Sequence, residues 1–544
     1  MMRITGQIVD IRGRRIYSGE LLLSKGKIID IRPIDHAELR YILPGFIDAH
    51  VHIESSMLVP SEFAKLALPH GTVATISDPH EIANILGLQG VYYMLQNASM
   101  VPMKIFFGAP SCVPATSFEQ AGASLGPDEV EELLREPAVK YLAEMMNYPG
   151  VLNNDPDVHR KIQAARNENK PVDGHAPGLR GNDMETYFAA GIHTDHECIT
   201  LEEGREKAEA GVHILIREGS AAKNFEALIP LLKSHPDQIM FCSDDKHPDD
   251  LVKGHIDQIV ARTIGKGFDL FDALAAACLN PVKHYDLDVG TLRVGDAADF
   301  ITVKNLQSFE IEQVFVDGQL VVDNGQTKFQ MPKIEVINKF NIGRRKTDEF
   351  RVFWSEGRSR IIKAIDGELI TDSLTEVLPC KEGLAATDKS RDLLKISVVN
   401  RYKDTAPAVA FIKGFGLQLG AFASCVAHDS HNIIAVGVDD DSIARSINLI
   451  VDHKGGISAV SPHDELVLPL PVAGIMSVEN GSRVAAEYGR IDHFVKETLG
   501  SQLSAPFMTL SFMALLVIPS LKLSDRGLFD GSTFTFVPLF EREI

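Results

Sequence analysis

The sequence predicts an α/β protein: a (β/α)8 TIM-like barrel, a small β-sandwich domain built from segments on both sides of it, and a C-terminal α+β domain. Three observations predict this. Eight apolar, strand-like runs between residues 42 and 245 alternate with helix-like stretches, the pattern of a parallel sheet with helices outside it. Stretches with β texture precede and follow that region. The 544 residues exceed one ordinary core and call for roughly two to four domains.

Residues 1–44 open with RITGQIVDI and ELLLSKGKIIDIRP, two partly alternating runs with a turn at Lys25-Gly26, which predicts a small sheet. The eight barrel runs follow at 42–49, 71–81, 103–111, 138–147, 171–177, 191–197, 211–220 and 238–245. Helices are expected between them, for example over 127–136 (PDEVEELLRE) and around 155–169. A doubly wound open sheet is the rival architecture, but no G-x-G-x-x-G follows the first strand to support it. Each run ends in polar or ionisable residues, and in a barrel these ends gather at one mouth. Residues 286–345 return to short strands with Gly/Asp turns, one at Asp317-Gly318. Their texture matches the opening segment, so 1–44 and 286–345 are expected to form the sandwich around a barrel at 45–285. A charged connection near 340–360 leads into the C-terminal domain, 350–544. There KISVVNRY and APAVAFIKGF read as strands. Asp439–Lys454 reads as a helix, with acidic residues first, Ile443, Ile447 and Ile450 on one face, and Gly455-Gly456 as the stop.

Composition narrows the function. Apolar content of 45% and charged content of 24% are those of an ordinary globular chain. A net charge of −20 argues against nucleic acid, which needs a basic footprint, but leaves a neutral base open as substrate. Six scattered cysteines without a C-x-x-C form no disulfide framework and suit a reducing cytosol, so a cytoplasmic location is expected. The N-terminus lacks a signal-peptide layout, and no apolar run reaches membrane-spanning length. Phe507 to Leu521 is the most apolar late stretch; it is expected to be buried, and such segments make a homodimer or larger assembly plausible.

The chemistry starts at residues 41–56, YILPGFIDAHVHIESS. Side chains at i and i+2 of a strand share a face, so His50 and His52 aim two imidazoles at one point. Later strand ends supply Glu144, His175, His196 and Asp244, giving four histidines and two carboxylates at one mouth. Two divalent metals a few ångströms apart need such nitrogen ligands and a bridging carboxylate. Glu144, central in chain order, is the expected bridge; His50 and His52 with Asp244 would hold one metal, His175 and His196 the other. Two metals would make hydroxide available from water at neutral pH, and Asp244 beside it would act as general base and then general acid.

These motifs carry a resemblance. PGFIDAHVHIESS, GHAPGL, TDHE and CSDD look like the metal motifs of the amidohydrolase superfamily, and GDAADFITV with FVDGQLVVDNG is similar to its appended sandwich. Within it the chain most closely resembles the adenine deaminase family, through HIESSM, SDPHEIANILG, GHAPGLRG, FCSDDKHPDDL and VAHDSHNIIAVG, over nearly the whole length. The resemblance implies hydrolysis of the exocyclic amine of adenine to hypoxanthine and ammonia, in purine salvage, with iron or manganese favoured over zinc. Many superfamily members bridge their metals through a carboxylated lysine on the fourth strand. Lys140 lies on that strand but roughly 13 Å deeper, at about 3.3 Å per residue, and is read as structural.

A purine also needs its edge read. His80, Glu81, Arg180, Glu197 and Asp245 are the candidates, with ion pairs or caps around the mouth as the plainer reading. Glu54 and Ser56 are expected to support the H-x-H, and Asp195 to be structural. His428 and His431, with Asp429 in the HDSHN segment, are expected either to close the mouth, to bind another metal or to cap a strand. Competing functions are a dihydroorotase- or hydantoinase-like hydrolase of a cyclic amide, disfavoured by Glu144, and a non-catalytic metal-binding scaffold. The zinc deaminases that use P-C-x-x-C are excluded, because the chain has no C-x-x-C.

Overall fold

A computed structural model of the chain describes residues 1–331 and 333–541. Four strands come first: β1 (Met2–Asp10), β2 (Arg15–Ser24), β3 (Lys27–Pro33) and β4 (Tyr41–Pro44). The barrel strands follow: β5 (Phe46–Val51), β6 (Thr72–Ser77), β7 (Lys104–Ala109), β8 (Val139–Met145), β9 (Val172–Gly174), β10 (Thr194–Asp195), β11 (His213–Arg217) and β12 (Ile239–Cys242). They fall at the eight runs expected from sequence and pair in parallel, in arcs β5–β9 and β10–β12. Two links close the circle. A parallel bridge joins Val51 to Asp244, and the His193 amide donates to the Val172 carbonyl at 3.0 Å. The amphipathic helices lie between strands; in Pro127–Arg135, Val130, Leu133 and Leu134 are buried.

Four later strands, β13 (Phe300–Val303), β14 (Ile311–Val316), β15 (Gln319–Asp323) and β16 (Gln326–Thr327), extend the first sheet in the order β16-β15-β14-β13-β4-β1-β2-β3. The sandwich is therefore one continuous sheet that curls on itself. Its β3 end meets the segment before β13, where Ile28 donates to the Asp296 carbonyl at 3.0 Å and Ala298 to that of Gly26 at 2.8 Å. Ile4, Ile8, Leu21, Ile42, Phe300 and Phe315 fill the space between. Its hairpins turn where the sequence marks them: Lys25 and Gly26 have φ of 49° and 77°, Asp317 and Gly318 of 47° and 70°. Two successive positive φ values make the tight turn that matches strand twist, and glycine takes the second at no steric cost.

The C-terminal region carries a second eight-stranded sheet, which includes Leu394–Val399, Ala408–Lys413 and Ile433–Gly437. Helix Asp440–His453 packs on it. The Asp439 carboxylate caps its start by accepting from the Ser442 amide at 2.7 Å, and Ile443, Ile447 and Ile450 are fully buried. Phe507, Met508, Leu510 and Phe512 are buried, as expected. This region sits over the barrel mouth: Gly481 donates to Glu62 at 2.8 Å, Tyr488 bonds His247 at 2.6 Å, and one apolar core runs through both. Among the described residues no helix is long and apolar enough to cross a membrane.

Candidate active site

The closure of the barrel assembles the site. Asp48 on β5 accepts from the Ser243 amide at 2.9 Å and pairs with His255 at 2.8 Å, which ties the first strand to the eighth. Just beyond β12, Asp244 takes a left-handed conformation (φ 52°). Its amide donates to the His50 carbonyl at 2.9 Å, and its carbonyl accepts from the His52 amide at 3.3 Å. That turn brings the Asp244 carboxylate to the two histidines of β5.

The donor atoms then converge. His50 Nε2 and His52 Nε2 lie 3.2 Å apart, and the His50 ring stacks on His196 with centroids at 4.2 Å. Glu144, at the end of β8, stands between the histidine pairs. Its Oε1 is 3.3 Å from His52 Nε2, while its Oε2 is 2.8 Å from His175 Nδ1 and 3.2 Å from His196 Nε2. Asp244 Oδ1 is 3.4 Å from His52 Nε2. Every one of these side chains is buried. Lys140 is placed apart, near Lys170.

Charge is arranged as tightly. Arg217, at the end of β11, forks onto Glu197 at 2.6 and 3.1 Å and also donates to Asp244. Burial opposes ionisation of Asp244, yet Arg217, followed by the histidines, holds its carboxyl far below the usual range. Asp245, next in sequence, moves the other way: burial raises it, and His428 offsets only part of that rise. Burial likewise opposes the charge on Glu144, but His175 and then His196 and His52 hold it well below the usual range. Adjacent carboxyls driven apart in this way are suited to different proton-transfer roles.

The donor set fits divalent metal. Four imidazoles and several carboxylates, nitrogen and oxygen ligands only, suit zinc, iron or manganese. The converging nitrogens, His50 Nε2 and His52 Nε2 3.2 Å apart and His175 Nδ1 2.8 Å from Glu144, offer the lone pairs an ion would take. Groups able to hold an ion include His50, His52 and Asp244; His50, Glu144 and His196; and His175, His196 and Glu197.

Sequence reasoning missed two residues here, Asp78 and Arg217. Asp78 lies 2.9 Å from His80 Nδ1, and both group with His52 and Glu144 around one point. Asp429 is 3.6 Å from His80 Nε2. Arg217 closes the apolar run HILIR, and a charge ending a buried strand was the available signal. Glu197, expected at the purine edge, lies 3.3 Å from His196 and 3.5 Å from His175 and groups with them as a candidate ion site. Two expectations are corrected. Arg180 stays outside the site, half-exposed and paired with Glu206 at 2.6 Å, because it precedes a surface helix rather than ending a strand. Ser56 bonds back to the Ile53 carbonyl at 2.6 Å, and its neighbour Ser55 is the serine that reaches Asp245. Glu54 accepts from the Ile82 amide at 3.2 Å, and Asp195 is clamped by Lys207 at 2.6 Å.

The HDSHN segment arrives from the C-terminal region. His428 and His431 both bind the Glu81 carboxylate, and His428 Nε2 is 3.6 Å from Asp245. His428, opposed by burial but facing Glu81 and Asp245, is pushed up to about 10.

A closed parallel barrel with an H-x-H on its first strand and histidines and carboxylates at later strand ends defines a class of hydrolases. The amidohydrolase family profile matches residues 41–321, and the chain belongs to that family. A second profile, the adenine deaminase C-terminal domain, matches residues 368–535. An adenine deaminase of Salinibacter ruber is 54% identical over 99% of this chain and 98% of its own length. One from Sulfurovum sp. is 55% identical over 98% and 99%, and one from Methanosarcina mazei 48% over the whole of both. Within the amidohydrolases the chain therefore falls among the adenine deaminases.

Proposed function

We propose that the chain hydrolyses adenine to hypoxanthine and ammonia, in purine salvage. The observation that carries the reading is the Glu144 carboxylate shared between His52 on one side and His175 with His196 on the other. That arrangement supports two divalent metals per subunit, one near His50, His52 and Asp244, the other near His175, His196 and Glu197, with Glu144 between. The donors suit zinc, iron or manganese alike, and it is the family resemblance that favours manganese or iron in this reading. Bound there, divalent metal lowers the proton affinity of water and stabilises negative charge that develops during attack.

The chain's own residues do the rest. Arg217 engages Asp244 Oδ2, which leaves Oδ1 directed at the centre. Asp244 takes the proton of the attacking water as the C6–O bond forms, and passes it to the departing amine as the C6–N bond breaks. Glu81, gripped by His428 and His431, is held facing the space a purine edge would occupy. Asp245, which accepts from Ser55 and faces His428, stands beside it as a second polar group at that edge. His428 and His431 close the mouth in this reading.

In the same reading residues 1–44 with 286–345, residues 45–285 and residues 350–544 are the three domains, and the protein works in the cytoplasm as a homodimer or larger assembly. The test is adenine loss followed by ultraviolet absorbance at neutral pH, on manganese-loaded protein and on the same protein after chelation. Conversion to hypoxanthine by the loaded form alone is expected. A loaded form with bound metal and no turnover would rule out adenine as the substrate.

A further inference from the structure

We propose that the purine occupies the cavity between the barrel mouth and the C-terminal region, so that both build one substrate site. The proposal rests on the reading of the chain as acting on adenine. The free space directly among His52, His80, Glu144, His196 and Asp244 is about 30 Å³. That is roughly the share of one water molecule in the liquid, so a bicyclic base reaches the centre only with its reacting end.

An adjoining cavity of about 290 Å³ supplies the missing room, and it shares Glu197, Arg217 and Leu369 with the centre. Its volume is near the lower end of small-ligand sites, which commonly form at domain interfaces. Ile199 and Ala222 line it from the barrel loops, Leu369, Ile370 and Ile518 from the C-terminal region. Ile199 is 53% exposed and Ile370 41%, apolar surface that a flat aromatic base would cover.

The far wall is held in place before any ligand arrives. The buried Lys522 donates to the Leu369 carbonyl at 2.6 Å, and Ala222 donates to that of Gly367 at 2.9 Å. Of the charged residues lining it, Glu197 and Arg217 are buried and shared with the centre, and Lys223 and Glu368 are exposed. A neutral, flat heterocycle suits that lining better than a charged one. A larger cavity of about 410 Å³ meets the centre only at Met146, and so lacks the continuity.

The test fills or charges the apolar wall without touching the centre. Ile370→Trp and Ile199→Asp are each expected to raise KM for adenine by about tenfold or more while kcat stays within about threefold, the pattern of lost substrate binding. Metal content by elemental analysis should match the wild type. Wild-type turnover with KM in both variants within about twofold of it overturns the cavity assignment alone. Absence of adenine turnover by the wild type removes the activity reading and this proposal together. Should Ile370→Trp misfold by circular dichroism, Ile199→Asp decides, because its side chain lies on an exposed loop.

Discussion

Glu144 shows how one residue can organise a site. Both its oxygens are engaged by histidines that follow three different strands, so its carboxylate links the two histidine pairs. Glu144→Gln keeps the shape and removes the charge. We expect activity to fall roughly 100-fold or more with reduced metal content, since even residues that merely orient ligands commonly contribute 10- to 100-fold. Elemental analysis alongside the adenine assay checks both. Lys522 tests electrostatics away from the centre. It is fully buried, donates to two backbone carbonyls, and burial pushes it down to about 7. Between that value and the ordinary lysine range the unfolded chain binds more protons than the folded one, so stability rises with pH there. The wild type should therefore gain on Lys522→Met from pH 7 to about 9.5, by on the order of 1–3 kcal/mol. Denaturant melts at both pH values measure it; a difference that does not change with pH would show that Lys522 is not held neutral.

Among the elements, helix Asp440–His453 is the clearest case of local sequence and tertiary packing agreeing. Its cap, its acidic first turn and its apolar stripe are all readable along the chain, and each is found in place. Asp439→Ala is expected to cost about 1 kcal/mol, the usual value of a lost N-cap. Ile447→Ala should cost about 2–5 kcal/mol, because it opens a cavity in a filled core. Urea melts rank the two; equal losses would mean that burial does not dominate this helix. The barrel strands were legible for a different reason. A strand buried on both faces reads as a short apolar run, and eight such runs separated by helical stretches leave few other architectures. Strand β10 is the exception: only Thr194 and Asp195 are extended, so its run signalled position more than length. The end of that run nonetheless placed His196 correctly, because the turn after a barrel strand is where the chain faces the mouth.

At the scale of the whole molecule, the C-terminal region is part of the site and not an appendage. Glu81 leaves the barrel and is gripped by two histidines from the other end of the chain, and Leu369 and Leu515 line the centre. The apolar core is shared as well. A chain ended after Arg345 would expose that core, and we expect it to be insoluble or to bind a hydrophobic dye; a soluble, metal-loaded barrel would show the two parts to be independent. Metal removal is the milder perturbation. A ligand bound only by the folded state stabilises by RT ln(1 + [L]/Kd), so chelation should lower Tm, by about 2–4 °C for each kcal/mol lost, less in a chain of this size. Calorimetry with and without chelator measures the shift.

The sequence by itself determined the barrel, its flanking β segments and the histidines and carboxylates at strand ends. Those features follow from periodicity and turn chemistry, which act over a few residues. It also placed His50, His52, Glu144, His175, His196 and Asp244 at one mouth, because parallel strands in a closed barrel all end on the same side. Only the tertiary structure decided the pairings across the chain. The fork of Arg217 onto Glu197, the grip of His428 and His431 on Glu81, the inclusion of Asp78 and Asp429, and the exclusion of Arg180 depend on which loops meet after folding. No local pattern encodes them. A side chain's partner across 350 positions is set by packing and barrel closure, not by its neighbours in sequence.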